Sequence, residues 1–199
     1  AGRYYMKLVD RGDFYGDTLD ADAFDKESGA ALLNMFLDLY ENDRQEIWLK
    51  YSLLSAEYLL TWVWLYDVVF LDGSPLEKAG FQTTGMTSVS VAHHHLDFYG
   101  ISIGYDFLRL HEYSKQKIFK DYGTLMINAC RQLTGAIGSD SNEKSKFQPE
   151  QINHTDWDYF GRNNHSRGYF DIKIAWVTVL GLGAWLKINK RFPEVLIDS

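Results

Sequence analysis

The sequence predicts an all-α fold made of helical hairpins. Apolar residues recur at three- and four-residue spacing over five segments. No stretch of similar length alternates apolar and polar residues as a half-buried strand does. Two of the connections are so short that they force antiparallel helix pairs.

The first helix is expected over about 26–40, with Asp25 as its N-cap and Ala31, Leu32, Met35, Phe36 and Leu39 on its apolar face. The second spans about 44–66 and opens with Asp43 and Glu46 in Asp-x-x-Glu spacing. The third covers about 90–112. The fourth covers about 115–133, capped by Ser114 and stopped by Gly135. The fifth covers about 171–189, and Pro193 forbids much continuation.

A few residues join the first helix to the second and the third to the fourth, whereas about 23 and nearly 40 residues fill the other two links. With the hairpins side by side, the N-termini of the first, third and fifth helices share one end. The long segments then gather there. Loops of that length in a compact domain usually carry function, and these are rich in Tyr, Trp, His and Asp. Gly100, Gly104, Gly181, Gly183 and the Gly29-Ala30-Ala31 start let those three helices pack closely as an inner layer. Glycine inside a helix costs about 1 kcal/mol against alanine, so a packing reason is expected.

Composition narrows the function. The chain has 199 residues, 20 basic and 27 acidic, for a formal charge of -7. That balance argues against a nucleic-acid partner, which needs a basic face. A hydrophobic share of 46% argues against disorder. Aromatics reach 16%, more than a core needs, and surplus rings suit pockets for ring-shaped ligands. Cys130 stands alone, so no intramolecular disulfide forms; a reducing compartment fits, and so does a bacterial exported protein. No signal peptide is visible, and a start at Ala1 is expected of a processed chain or a piece of a longer one. The apolar runs at 58–66 and 174–186 fall short of the roughly 20 residues a membrane span needs.

Residues 25–29 (DKESG), the runs LLNMFLDLYEND and WLKYSLLSAEYLLTW, and the second copy DFLRLHEYSKQKIFKDYGTLMINA carry a likeness. Together they resemble the six-hairpin glycosidases, the (α/α)6 toroid superfamily. The likeness covers about 25–190 as a repeat of about 75 residues. It implies an incomplete toroid, since six hairpins close the ring and this chain supplies about two and a half. It also implies a carbohydrate-active enzyme, usually a glycoside hydrolase and sometimes a polysaccharide lyase. Its substrate would lie at the N-terminal end of the inner helices.

Four stretches offer chemistry. Residues 148–160 (QPEQINHTDWDYF) interleave Glu150, Asp156 and Asp158 with His154, Trp157 and Tyr159. A glycosidase needs two carboxylates about the scissile bond and aromatic faces for the sugar, and Asp156 beside Trp157 is the expected catalytic carboxyl. A structural loop whose acids cap the fifth helix is the alternative. Residues 92–100 (AHHHLDFYG) place His93 and Asp97 four apart on the expected third helix, with His94 three from Asp97. Consecutive histidines fan apart by about 100° each, the angle per residue at 3.6 residues per turn, so no metal site is expected from them alone. Substrate hydrogen bonding, acid/base work and a structural role stay open, and His94 with Tyr99 keeps a lyase base in view. In the acidic run 17–27, Asp22, Asp25 or Glu27 reaches the cavity, or the acids simply favour the helix N-terminus. Arg162, His165 and Arg167 suit an acidic sugar or a merely basic loop.

The expectation is therefore a glycoside hydrolase with carboxylate acid/base catalysis by Asp156 and a second acid from Asp97, Glu150 or Asp25. His94, His154, Trp157, Tyr159, Trp64, His165 and Arg162 would bind substrate. A lyase acting on a uronate-containing glycan, and a noncatalytic glycan-binding or helical scaffold protein, are the alternatives. No cofactor or metal is expected. The expected partners are a carbohydrate and either the rest of a longer chain or a second copy, covering apolar inner faces. A periplasmic or secreted bacterial setting is expected, with a cytoplasmic one still open.

Overall fold

The structure, a computed structural model, describes residues 1–16, 23–93, 95–134, 148–156 and 165–196. Helices hold 61% of the described residues, so the helical class is correct in the main. In order, the elements are α1 (Gly2–Arg11), β1 (Tyr15–Gly16), β2 (Ala23–Phe24), α2 (Lys26–Asp43), α3 (Glu46–Leu60) and α4 (Pro75–Lys78). Then come β3 (Thr87–Ser88), β4 (Leu96–Asp97), α5 (Gly100–Ser114), α6 (Lys117–Arg131), β5 (Pro149–Ile152), β6 (Phe170–Lys173) and α7 (Ala175–Arg191).

The two expected hairpins are α2–α3 and α5–α6, the most extensively packed helix pairs. Their turns are built alike. Arg44 and Lys115 close the first helix of each pair with φ of 58° and 60°. Each is followed by a glutamine that starts the next helix. The amide of Gln45 donates to Asp43 at 3.0 Å, and that of Gln116 donates to Ser114 at 3.3 Å. Asp43 and Ser114 thus brace the turns rather than cap the second helices directly.

Helix α5 lies at the centre, against α2, α3, α6 and α7. It meets α6 closely at facing glycines: a Cβ on Gly104 would sit 2.8 Å from the Gly123 carbonyl oxygen. We expect Gly104→Val to cost about 1–3 kcal/mol by overpacking, read as a lower urea midpoint at unchanged slope.

The strands correct the all-helical expectation. A four-stranded antiparallel sheet runs in the order β3-β4-β5-β6, with Thr87 opposite Asp97 and Leu96 opposite Ile152. The helix expected at 90–112 begins only at Gly100. Ser90 closes a turn instead, its hydroxyl accepting from the His93 amide at 2.9 Å, and β4 is paired on both edges. Local side-chain bonding and sheet pairing outcompete helix there. The helix expected at 44–66 stops at Leu60, because the Trp64 backbone pairs with Met86 and Gly85 at 2.9 and 2.8 Å. The fifth helix starts at Ala175, with 170–173 in β6. Helix α1 was not anticipated; its Val9 packs with Phe14, Phe36 and Trp48.

At the far end of the helices lies an ionic network. Arg109 donates to Asp106, Asp38 and Glu41, and Arg191 donates to Glu41 and Tyr113. Burial works against the charge on Glu41, but the bonds from Arg109, Tyr113 and Arg191 outweigh it and hold the carboxyl down at about 2. The stability it confers is complete above its ordinary value of 4.5 and disappears as pH falls toward about 2. Glu41→Gln should therefore flatten the acid limb of a stability-versus-pH curve between those values, measured by urea unfolding.

Candidate functional site

One small cavity of about 60 Å³ gathers the first turns of three helices. Glu27 comes from α2, Tyr99 caps the start of α5, and Trp176 stands at the start of α7. The sheet adds Asp97 from β4 and Glu150 from β5, and the turn before β4 adds His93 and His95. The bridge between Asp25 and Ser90 and the bond from the Lys26 amide to the Val89 carbonyl (3.0 Å) lock the start of α2 against this turn.

Asp97 is 2% exposed. One carboxylate oxygen accepts from the Tyr99 amide at 3.1 Å and the Thr87 hydroxyl at 3.3 Å, and the other accepts from the Lys26 ammonium. Burial raises this carboxyl above the ordinary aspartate range, and Lys26, the Tyr99 amide and Thr87 offset that push only in part. Lys26 is completely buried and also lies 4.6 Å from the centroid of the Tyr99 ring. Glu150 is half-buried; burial first, and then the charge of Asp97, raise its carboxyl above the ordinary glutamate range. Burial and the nearby carboxylates Glu27, Asp97, Asp25 and Glu150 push the Tyr99 hydroxyl up to about 12. The surroundings are thus strongly negative. The rings of His93 and His95 lie 6.2 Å apart, His93 buried and His95 half-buried.

Among the expected site residues, the structure brings together Asp97 and Glu150. His93 and Asp97 both line the cavity, His93 from the turn that Ser90 closes and Asp97 from β4, and not from adjacent turns of a helix. Asp156 lies elsewhere: its half-exposed carboxylate faces Arg167 at 3.5 Å and does not line the cavity. Asp25 is 1% exposed and caps α2: its Oδ1 accepts from the amides of Glu27 and Ser28, whereas its Oδ2 is buried with no hydrogen-bond partner among the described residues, and it does not line the cavity. His154 is buried against Trp64, ring centroids 4.5 Å apart, and the Trp64 indole donates to Ser88 at 2.9 Å. Trp64 lines a separate open groove with Trp62 and Tyr66. His165 is exposed. His94, Trp157, Tyr159 and Arg162 lie outside the described residues, as do Asp22 and Asp158. Among the described residues no three His, Cys, Asp or Glu side chains are placed to share a metal ion.

Lys26 and Trp176 were not anticipated. Lys26 had a signal: it shares the buried stripe of α2 with Gly29, Leu33 and Leu37, where an unpaired cation cannot sit. Trp176 opens an apolar run that reads as core, yet it is 43% exposed.

The arrangement is a helical-hairpin protein with an antiparallel sheet and an acidic, aromatic cavity at one end of its helices. No protein-family model, curated protein or solved structure matches the chain.

Proposed function

We propose that the chain is a carbohydrate-active enzyme, a glycoside hydrolase working by carboxylate acid/base catalysis on a (α/α)6-type arrangement of hairpins. The cavity carries the proposal: Glu27, Asp97 and Glu150 reach it from three separate segments, beside the rings of Tyr99 and Trp176. Glycoside hydrolysis asks for one carboxyl that holds a proton and one that is ionised, on either side of the bond. Glu150, raised by burial and by Asp97, suits the acid that protonates the leaving oxygen. Glu27, in the first turn of α2, suits the ionised partner, since the positive end of a helix favours negative charge. Trp176 offers an apolar face to the sugar ring.

The lyase alternative needs a cation to neutralise the uronate carboxylate. Lys26 is buried and already paired with Asp97, and the surrounding carboxylates would repel a uronate. The hydrolase reading is therefore preferred, with a neutral glycan as substrate.

Neutral and uronate-containing oligosaccharides are incubated with the full chain and followed for new reducing ends and for ultraviolet-absorbing unsaturated products. New reducing ends from a neutral glycan support the hydrolase. An unsaturated product makes the protein a lyase. Saturable binding with no product makes it a glycan-binding module.

A further inference from the structure

The ion pair beneath the cavity joins two elements that the chain separates by 71 residues, the first turn of α2 and strand β4. Lys26 has no exposed surface. Its ammonium lies between the Asp97 carboxylate and the Tyr99 ring. Both oxygens of Asp97 act as acceptors, toward the Tyr99 amide, the Thr87 hydroxyl and Lys26. Only the ionised carboxylate accepts at every site; a proton on it would cost one of these bonds. Lys26 does not line the cavity, whereas Asp97 does. The lysine therefore acts on the cavity through Asp97.

We propose that Lys26 is a positioning residue: its buried ammonium keeps Asp97 ionised at the cavity floor, and that fixed negative charge keeps the site's exchangeable proton on Glu150. The use of this proton rests on the hydrolase reading; its placement does not. Charged and titratable groups flank Glu150 from α2, from the segment leading into β4, from β4 and from the start of α5, and β6, paired with β5, carries Asp171 and Lys173 opposite Gln151 and Pro149. Glu27 and Lys26 belong to α2, with Asp25 just before it. His93 and His95 precede β4, Asp97 lies in it, and Tyr99 starts α5. Asp97 and Glu27 favour the proton on Glu150, and the two histidines oppose it once they are protonated. Of the two cavity acids near β4, Asp97 has the buried cation, so Glu150 takes the proton.

The test is a substrate-free pH titration of the full chain carrying carbon-13 in its Asp and Glu carboxyl groups. Glu150→Gln and Asp97→Asn assign the two signals, and the histidine ring protons are followed in parallel. In the wild type, Asp97 shows the ionised shift at neutral pH, and Glu150 titrates above the ordinary glutamate midpoint. Asp97→Asn lowers the Glu150 midpoint by about half a pH unit or more. In Lys26→Met, Asp97 gains a proton with a midpoint above about pH 7, as buried unpaired carboxyls do. Lys26→Met/Asp97→Asn loses that titration and keeps the lowered Glu150 midpoint. The double variant contains no unpaired buried ion, so it reads the effect of the Asp97 charge on Glu150 even where a single variant fails to fold. Lys26→Gln, which keeps a donor without the charge, reads the hold of the ammonium on Asp97 where Lys26→Met does not fold, and an Asp97 that stays ionised in it at neutral pH overturns the proposal. A protonated Asp97 in the wild type at neutral pH overturns the proposal. So does a Glu150 midpoint that Asp97→Asn leaves in place. A chain that shows the expected midpoints but cleaves no glycan refutes the hydrolase reading and leaves the proton placement standing.

Discussion

Glu150→Gln is expected to lower kcat/KM on an unactivated neutral oligosaccharide by about 10²–10⁴-fold, the usual range for loss of a general acid. Glutamine keeps the size of the side chain and one acceptor, but it has no proton to give the leaving oxygen. The defect should therefore shrink on aryl glycosides, whose leaving groups depart without protonation. The alkaline limb of the wild-type pH profile should fall as pH rises through the raised midpoint of Glu150, because only the protonated carboxyl works. That limb should vanish in Glu150→Gln. Asp156→Asn is the control: its carboxylate is half-exposed against Arg167 and should leave kcat/KM within a few fold. Thermal melts establish that both variants fold. A severe loss in Asp156→Asn with Glu150→Gln nearly normal would return the catalytic role to Asp156.

The hairpins were legible because short connections leave no choice. A helix followed within two residues by another helix must fold back on it, and the matching turns at Arg44 and Lys115 lie 71 residues apart. That offset is close to the repeat read from the pattern. The sheet was not legible, because its strands hold only two to four residues each. Alternation needs more length than that to rise above a helical pattern. Thr87–Ser88 and Leu96–Asp97 become strands through pairing with distant segments, a tertiary effect that local propensity does not contain. The site was half legible for the same reason. Gathering the long segments at the N-terminal ends of the inner helices led to Glu150 and Asp97. Preferring Glu150 to Asp156 needed β5, whose pairing with β4 brings Glu150 to the cavity. Lys26 shows a further gap: a charge on a buried stripe announces a partner, but only the fold says which carboxylate it is.

Lys26→Met should cost about 3–5 kcal/mol of stability, because it leaves Asp97 buried without its cation. Urea unfolding at constant slope reads the loss. The deficit has a definite pH dependence. In the variant, Asp97 loses the cation that partly offsets burial, so its folded-state midpoint rises further above its unfolded value. Such a group contributes stability below its unfolded midpoint and loses it as pH rises through the folded one. Lys26→Met should therefore be closest to wild type in acid and furthest from it above neutral pH. Asp97→Asn should also destabilise, by stranding the ammonium against the Tyr99 ring. The double variant should recover most of the loss, since replacing a whole buried pair by neutral groups of similar volume is often nearly neutral. The cycle then isolates the coupling between the two side chains. A large favourable coupling means that the pair orients Asp97 through electrostatic attraction. A coupling near zero means that the lysine stem and the Tyr99 ring hold this floor by packing, and then Lys26 has no hold on the charge of Asp97.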